Sequence, residues 1–405
     1  FRITDDAGLP LDLNGLYTEG AVNPRFVLAW LDQNAAQEPL GYTAYTVKDQ
    51  TSPITNVTAT QAAADEGGTF TEVDFDQGIY QYDLATAVTL SDATKTHTVG
   101  AWATRDFDGK RYVANALYNF LPSGSAVTVT RDIVQTASCN SCHNPLSVHG
   151  GQRREVALCI TCHSPQTVDP DTGNTVDMKV MIHKIHRGHE LPSVEAGTPY
   201  QIIGYQQGVY DYSTVAYPQA VENCDSCHTG SQGHFWKDRP TRTACASCHD
   251  LVSFDTIVPQ GMIAHVGGPQ LDDATCNVCH PPAGGLEGIE TKHMTPLTDP
   301  SATKLVFTIL GVEKTAPDET PELVFAVDKD GASQDLVASP LSRLVVTVAG
   351  PTTEYATYWQ HTIQGSGASG TLTPEAGHYR YVSVSYTHLR AHETKANLVC
   401  RLLLE

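Results

Sequence analysis

Ten of the eleven cysteines in this 405-residue chain fall into five copies of one motif, Cys-x-x-Cys-His. The copies begin at residues 139, 159, 224, 245 and 276, and a histidine directly follows the second cysteine in each. Zinc ribbons and redox dithiols also use a Cys-x-x-Cys pair, but neither needs a histidine at the next position. Covalent haem c does need it, because the thiols add to the haem vinyl groups and the following imidazole binds the iron. The motifs therefore predict five covalently attached haem c groups.

The motif residues have two predicted roles. The attachment residues are the ten motif cysteines, Cys139, Cys142, Cys159, Cys162, Cys224, Cys227, Cys245, Cys248, Cys276 and Cys279. The proximal iron ligands are the five motif histidines, His143, His163, His228, His249 and His280. The alternative is a zinc-binding interaction module or a set of structural disulfides, and it requires the motif histidines to be accidental.

Five haem irons would leave five distal positions to fill, and the same segment holds seven further histidines. The supply is therefore sufficient for every iron to be ligated by two histidines. The predicted distal ligands are His149, His183, His186, His265 and His293. His189 and His234 are left out, since the first lies beyond Gly188 and the second is in a polar loop. The four methionines are too few for five irons and are expected to fill the core.

The stretch MKVMIHKIHRG, residues 178–188, carries two of these distal ligands. Its packing residues and closing glycine predict a short helix. Histidines three positions apart project from neighbouring parts of one helical face. One helix can therefore serve two haems packed side by side.

The composition limits the choice of partner. A formal net charge of −20 argues against nucleic-acid or anionic-membrane partners, which require a basic face. The chain has no apolar run near eighteen residues, so no transmembrane segment is predicted.

The patterning divides the chain into four parts. Residues 134–302 are rich in Gly, Pro, Asp and Ser, and we expect a loop-rich, mostly non-regular pentahaem domain with short helices. Residues 1–133 and 303–384 carry strand-like runs and predict antiparallel β sandwich or barrel domains, Greek-key-like, on either side. Seven strands are expected in the first, at 25–32, 42–47, 69–75, 79–84, 97–107, 111–120 and 126–134. Asp108-Gly109 predicts a hairpin.

The two β domains resemble each other, and the second is predicted to be a truncated repeat of the first. The sequence GTFT…GIYQY at 68–82 is similar to GTLT…GHYRY at 370–381. Residues 385–405, which include the eleventh cysteine, Cys400, match nothing in the first domain. They resemble a translated sequencing-adapter tail, so we expect an artefact and an unpaired sheet edge in the second domain. A short amphipathic helix is the alternative.

The order of domains resembles the first three domains of the OmcA/MtrC family of outer-membrane decahaem cytochromes. The likeness covers roughly residues 20 to 382, and it is carried by the five motifs and by three further stretches. These are LSVHGGQRREVALCITCH, VDMKVMIHKIHRG followed by LPS, and WKDRPTRTACASCHD. The family pattern supports His149, His183, His186 and His265 as distal ligands.

The resemblance implies an exported, lipid-anchored protein of the outer membrane and cell surface, followed by a second pentahaem domain. It also implies an electron-donating periplasmic or outer-membrane cytochrome/porin complex as partner, and extracellular metal oxides, soluble metal ions or flavin shuttles as acceptors. We therefore expect electron transfer through closely spaced haems, without a dedicated catalytic site. The alternative is a multihaem reductase of a small oxyanion that uses one open-site haem.

Overall fold

The computed structural model describes residues 1–285, 287–316, 319–350, 357–383 and 399–403. The chain forms two compact units, Phe1–His293 and Met294–Glu405. In agreement with the predicted fold class, antiparallel β structure stands on both sides of a loop-rich segment. No helix in the described ranges is long and apolar enough to cross a membrane.

The first unit opens with antiparallel β structure. Its strands are β1 (Val22–Gln33), β2 (Pro39–Ala44), β3 (Val47–Thr51), β4 (Thr58–Ala62), β5 (Thr69–Asp74), β6 (Ile79–Asp83), β7 (His97–Phe107) and β8 (Lys110–Phe120). Four of them form a sheet in the order β2-β1-β7-β8, while β3 with β4 and β5 with β6 form separate hairpins. The predicted hairpin at Asp108-Gly109 is confirmed, because Phe107 pairs with Lys110 and both turn residues have positive φ.

Two strand predictions in this region were wrong. Residues 126–134 form no strand, because their backbone bonds to the loop at 230–232 instead of to a sheet. The predicted strand at 42–47 is interrupted after residue 44, and the β3–β4 hairpin that follows was not expected.

The sheet positions the second haem-binding motif. Leu158, directly before Cys159, packs against Val27 of β1 and Trp102 of β7. A Cβ atom at Gly100 would lie 2.8 Å from Leu158 Cδ1, so only glycine permits this approach. The β sheet and the haem-binding segment therefore share a core.

The haem-binding segment is built from short elements, as predicted. Its helices are α1 (Thr136–Cys139), α2 (Val156–Cys159), α3 (Met178–Arg187), α4 (Pro192–Glu195), α5 (Phe235–Asp238), α6 (Arg242–Cys248), α7 (Cys276–Cys279) and α8 (Ile289–Lys292). Its strands are β9 (Gln201–Ile203), β10 (Val209–Asp211), β11 (Val252–Ser253) and β12 (Ile263–Ala264). Three 3₁₀ turns complete it, Gly188–Glu190, Tyr205–Gln207 and Cys224–Ser226.

The predicted histidine helix is α3. The Asp177 side chain accepts a hydrogen bond from the backbone N–H of Lys179 and begins the helix. Gly188, with φ at 50°, ends it, and a Cβ there would lie 2.2 Å from the carbonyl oxygen of Val215. The helix is therefore fixed at both ends.

The second unit is a β sandwich. Its strands are β13 (Leu305–Glu313), β14 (Glu322–Lys329), β15 (Ala332–Ser333), β16 (Leu344–Gly350), β17 (Thr357–Gln364), β18 (Thr371–Glu375), β19 (His378–Val382) and β20 (Val399–Leu403). One sheet has the order β13-β14-β19-β18, with β15 beside β14, and the other has the order β17-β16-β20. Phe325 and Tyr379 of the first sheet share a core with Leu344, Val346 and Ile363 of the second.

Part of the predicted tail takes part in this unit. Residues 399–403 form β20, which pairs with β16 and covers the sheet edge that we expected to be unpaired. Residues 384–398 and 404–405 lie outside the described residues. The origin of the tail stays a prediction.

One tyrosine in each unit supports the predicted repeat. The Tyr80 hydroxyl donates a hydrogen bond to Leu11 O at 3.1 Å and accepts one from the backbone N–H of Leu13 at 3.2 Å. The Tyr379 hydroxyl makes the matching pair of bonds, donating to Gln334 O and accepting from the backbone N–H of Leu336, each at 2.9 Å. Both tyrosines stand at the same position of the repeated Tyr-x-Tyr motif.

Candidate haem sites

Each of the five motifs folds as one helical turn. In all five, the backbone N–H of the motif histidine donates to the carbonyl oxygen of the first motif cysteine at 2.9 Å. Residues three and four positions apart share one side of such a turn. The turn therefore brings both thiols and the imidazole of a motif to the same side.

Every predicted proximal histidine stands opposite one predicted distal histidine, and each of the ten is used once. The ring centroids are 6.4 Å apart in His143–His186, 5.7 Å in His149–His163, 6.1 Å in His183–His228, 6.3 Å in His249–His293 and 6.1 Å in His265–His280. Metal–imidazole bonds are about 2.0–2.1 Å long, so two imidazoles on opposite sides of one metal have centroids roughly 6 Å apart. The spacing of the pairs fits an iron between the rings.

The His149–His163 pair is the tightest. Its two Nε2 atoms lie 3.4 Å apart, less than the roughly 4 Å that a metal between two imidazole nitrogens requires. These rings must move apart by roughly 0.6–0.8 Å to admit iron.

Hydrogen bonds at Nδ1 orient the rings. The acceptors are Val176 O for His163, Ile182 O for His186, Gly268 O for His265, Glu287 O for His280, Ile289 O for His293 and the Ser247 hydroxyl for His183, at 2.8–3.3 Å. A histidine that donates from Nδ1 presents the lone pair of Nε2 to a metal. The rings are therefore held in the orientation and tautomer that a haem iron requires.

Burial keeps many of these imidazoles neutral. Desolvation is the largest cause that lowers the pKa of His149 and His183, each to about 4, and neighbouring cationic or histidine side chains lower it further. Burial also lowers the pKa values of His143, His163, His228 and His249. The neutral imidazole is the form that binds metal.

The motif cysteines are not joined by disulfides. None of the ten is paired with another in this structure. Burial raises the pKa of Cys159 to about 11, of Cys224 to about 12 and of Cys245 to about 11. The donor set of paired cysteines and paired histidines fits haem c.

Residues 131–294 match the family of outer membrane cytochromes described as MtrC/MtrF-like, domains II/IV. The multihaem cytochrome MtrC of Shewanella baltica (strain OS185) is 29% identical over 271 residues, which are 63% of this chain and 34% of that protein. The segment with the five motifs is thus similar to domains of outer-membrane multihaem cytochromes. This similarity supports haem c as the cofactor.

The fold is similar to that of a solved multihaem cytochrome. The crystal structure of the outer membrane decahaem cytochrome OmcA aligns with a TM-score of 0.51 at 23% identity, and the alignment covers 89% of this chain and 57% of that one. The chain spans about a third of the length of the curated MtrC relative.

The two histidines left out of the predicted ligand set are placed differently from the ten. His189 donates from Nδ1 to Val215 O at 2.9 Å, and His234 packs edge-on against Phe235. Within the described ranges, neither faces a motif histidine.

Sequence reasoning missed the residues that attach α3 to two motifs. The carboxylate of Asp250, directly after His249, accepts hydrogen bonds from Lys184 Nζ at 2.6 Å and from the N–H and hydroxyl of Ser193. Arg187 at the end of α3 bonds to Glu222, two residues before Cys224, at 2.8 Å. The sequence did offer one signal for these contacts, because the acidic residues Glu222 and Asp250 stand beside the third and fourth motifs.

Proposed function

We propose that the chain binds five haem c groups, each with its iron between two histidines, and carries electrons from one group to the next. The five facing histidine pairs, with centroids 5.7–6.4 Å apart, carry this proposal. Bound haem supplies reversible one-electron chemistry at iron.

In this function the protein residues hold and orient the haem groups. The cysteines would hold the porphyrins covalently, and each histidine pair would bind one iron from both rings, which would leave no position for a substrate. Nδ1 hydrogen bonds orient six of these ten histidines. No general acid or base takes part.

We propose further that the electrons leave to extracellular acceptors, namely metal oxides, soluble metal ions or flavin shuttles, from the outer membrane and cell surface. An electron-donating periplasmic or outer-membrane cytochrome/porin complex would supply them. The similarity to outer-membrane multihaem cytochromes supports this assignment, and the net charge of −20 favours cationic acceptors such as ferric ions. The proposed division is a β domain at 1–133, a pentahaem domain at 134–302 and a second β domain at 303–384.

The test is haem content and spin state. The whole chain is produced behind an export signal with haem c maturation, and haem per chain is measured together with the oxidised and reduced visible spectra. Five low-spin haems per chain support the proposal. A high-spin fraction that corresponds to one haem contradicts it and favours the oxyanion reductase, which needs an open iron.

A further inference from the structure

One predicted distal ligand differs from the others in the group that holds its ring. Nδ1 of His183 lies 2.9 Å from the hydroxyl of Ser247, a residue of the fourth motif, although His183 faces His228 of the third motif. The five other predicted ligands with an Nδ1 hydrogen bond have a backbone carbonyl as its acceptor. A side chain of one motif therefore contacts the predicted iron ligand of another haem site.

The direction of this hydrogen bond follows from the number of protons. A serine hydroxyl has one proton, and that of Ser247 is donated to the carbonyl oxygen of Ala244 at 2.5 Å. The Ser247 oxygen therefore accepts from His183, whose imidazole carries its proton on Nδ1. The lone pair of the other ring nitrogen, Nε2, is thereby left for an iron between His183 and His228.

The surroundings hold this contact in place. Ser247 is 0% exposed and belongs to α6, while His183 belongs to α3. The ion pair of Lys184 with Asp250 joins the same two parts of the chain at 2.6 Å. The rings of His183 and His228 are inclined by only 13°, the smallest angle among the five pairs. The His183 ring is thus held nearly parallel to the ring that it faces.

The other motifs show what is particular to Ser247. Four motifs carry a hydroxyl residue at their third position, and each hydroxyl donates to the carbonyl oxygen three residues earlier, at 2.5–2.7 Å. These residues are Ser141, Thr161, Ser226 and Ser247. Among them, in the part of the chain that the structure describes, only Ser247 also accepts from a histidine. The fifth motif has Val278 at this position and still forms its helical turn, so the turn does not need the hydroxyl.

We propose that Ser247 of the fourth motif is a positioning residue for the haem at the third motif. This rests on the proposed function, since it requires His183 to bind that iron. An acceptor at Nδ1 fixes the orientation of an imidazole ligand and raises its basicity. A more basic ligand favours ferric iron, so the Ser247 hydroxyl lowers the reduction potential of this haem. A change in one motif therefore alters the haem that another motif attaches.

The test uses the whole haem-loaded chain with Ser247→Ala. Haem per chain is counted, a spectroelectrochemical titration resolves the potentials, and electron paramagnetic resonance reports on the ligand orientations of the ferric haems. We expect full haem content, an upward shift of one potential and a change in one low-spin signal. Ser141→Ala is the matched control, because it removes the hydroxyl at the same position of the first motif, where its described hydrogen bonds involve no histidine.

A pair of variants with the same shape separates the hydroxyl from packing. Ser247→Thr keeps the hydroxyl, and the buried Thr161 shows that threonine fits this position of a motif. Ser247→Val has the shape of threonine without the hydroxyl. The threonine variant should keep the original potential and the valine variant should not. If Ser247→Ala loses haem, this pair decides, and equal potentials in its two members would overturn the proposal.

A second background identifies the haem concerned. His183→Ala removes the imidazole through which Ser247 acts, so adding Ser247→Ala to it should produce no further shift. A shift of the original size in that background contradicts the proposal, because the hydroxyl would then act on the fourth haem. Potentials and signals in Ser247→Ala equal to those of Ser141→Ala contradict it as well. Failure of the unmodified chain to hold five haems is a different result, because it contradicts the proposed function itself.

Discussion

Lys184 Nζ donates to the Asp250 carboxylate at 2.6 Å, and the two side chains are only 17% and 3% exposed. Lys184 follows the predicted ligand His183, and Asp250 follows the predicted ligand His249. The ion pair therefore attaches the helix that carries two distal ligands to the fourth motif.

Loss of this ion pair should destabilise the haem-binding segment. Lys184→Met leaves the buried Asp250 without its cation, and we expect the free energy of unfolding to fall by about 3–5 kcal/mol. Denaturant unfolding followed by the Soret band measures it. Lys48→Met is the control, because the Lys48–Glu66 pair is exposed and should be worth less than about 1 kcal/mol. Equal losses in the two variants would show that the Lys184–Asp250 pair has no special role.

Removal of one distal histidine should open one iron. In His293→Ala the iron at His249 loses its predicted second ligand, while the cysteines still hold the haem. We expect unchanged haem content and a high-spin signal from about one haem per chain, measured by electron paramagnetic resonance. His189→Ala, which removes a histidine outside the five pairs, should leave the spectrum unchanged. A low-spin spectrum in His293→Ala would exclude His293 as a ligand.

A side chain at Gly100 should separate the second motif from the sheet. The new methyl group of Gly100→Ala would lie 2.8 Å from Leu158 Cδ1 and 2.9 Å from Val27 Cγ1. We expect a loss of about 1–3 kcal/mol in the free energy of unfolding, because a packed core resists added volume. Gly311→Ala in β13 is the matched control, since nothing lies within 4 Å of its Cβ position. A stability equal to that of the control would argue against tight packing at Gly100.

Asp65 should make the first β region sensitive to acid. Burial alone would raise the pKa of this carboxyl, but hydrogen bonds from Thr86, Ala85 and Tyr82 outweigh burial and lower it. Because the folded-state pKa lies below the unfolded value of about 3.9, the stabilisation is present above that pH and is lost as the pH falls through the folded pKa.

Asp65→Asn should therefore lower the free energy of unfolding at pH 7 by about 2 kcal/mol and flatten its dependence on pH in the acid range. Thermal unfolding followed by circular dichroism between pH 2 and 7 measures both effects. Asp76→Asn, at an exposed position, is the control. The prediction fails if the two variants show the same pH profile.

The sequence identified the candidate ligands but not which of them face each other. A Cys-x-x-Cys-His motif consists of five consecutive residues, so it can be recognised in the sequence whatever the fold. That His143 faces His186, and that His183 faces His228, depends on how α3 docks on distant loops, which no local pattern records.

The β regions show a similar limit. The run of buried residues Phe26–Ala29 in β1 and the alternating burial in β7 reflect packed faces, and those strands were predicted well. The β3–β4 hairpin is polar and largely exposed, so it has no alternating signal to recognise. Residues 126–134 do alternate, but the loop at 230–232 takes their hydrogen bonds.

Asp177 caps the first end of α3 and Gly188 caps the last, so the helix holds the predicted ligands His183 and His186 at a fixed separation. An α-helix rises about 1.5 Å per residue, so the backbones of His183 and His186 are separated by roughly 4.5 Å along the axis. The rate of electron tunnelling falls steeply with distance. A spacer of constant length between two haems would therefore keep their electronic coupling constant while the surrounding loops fluctuate.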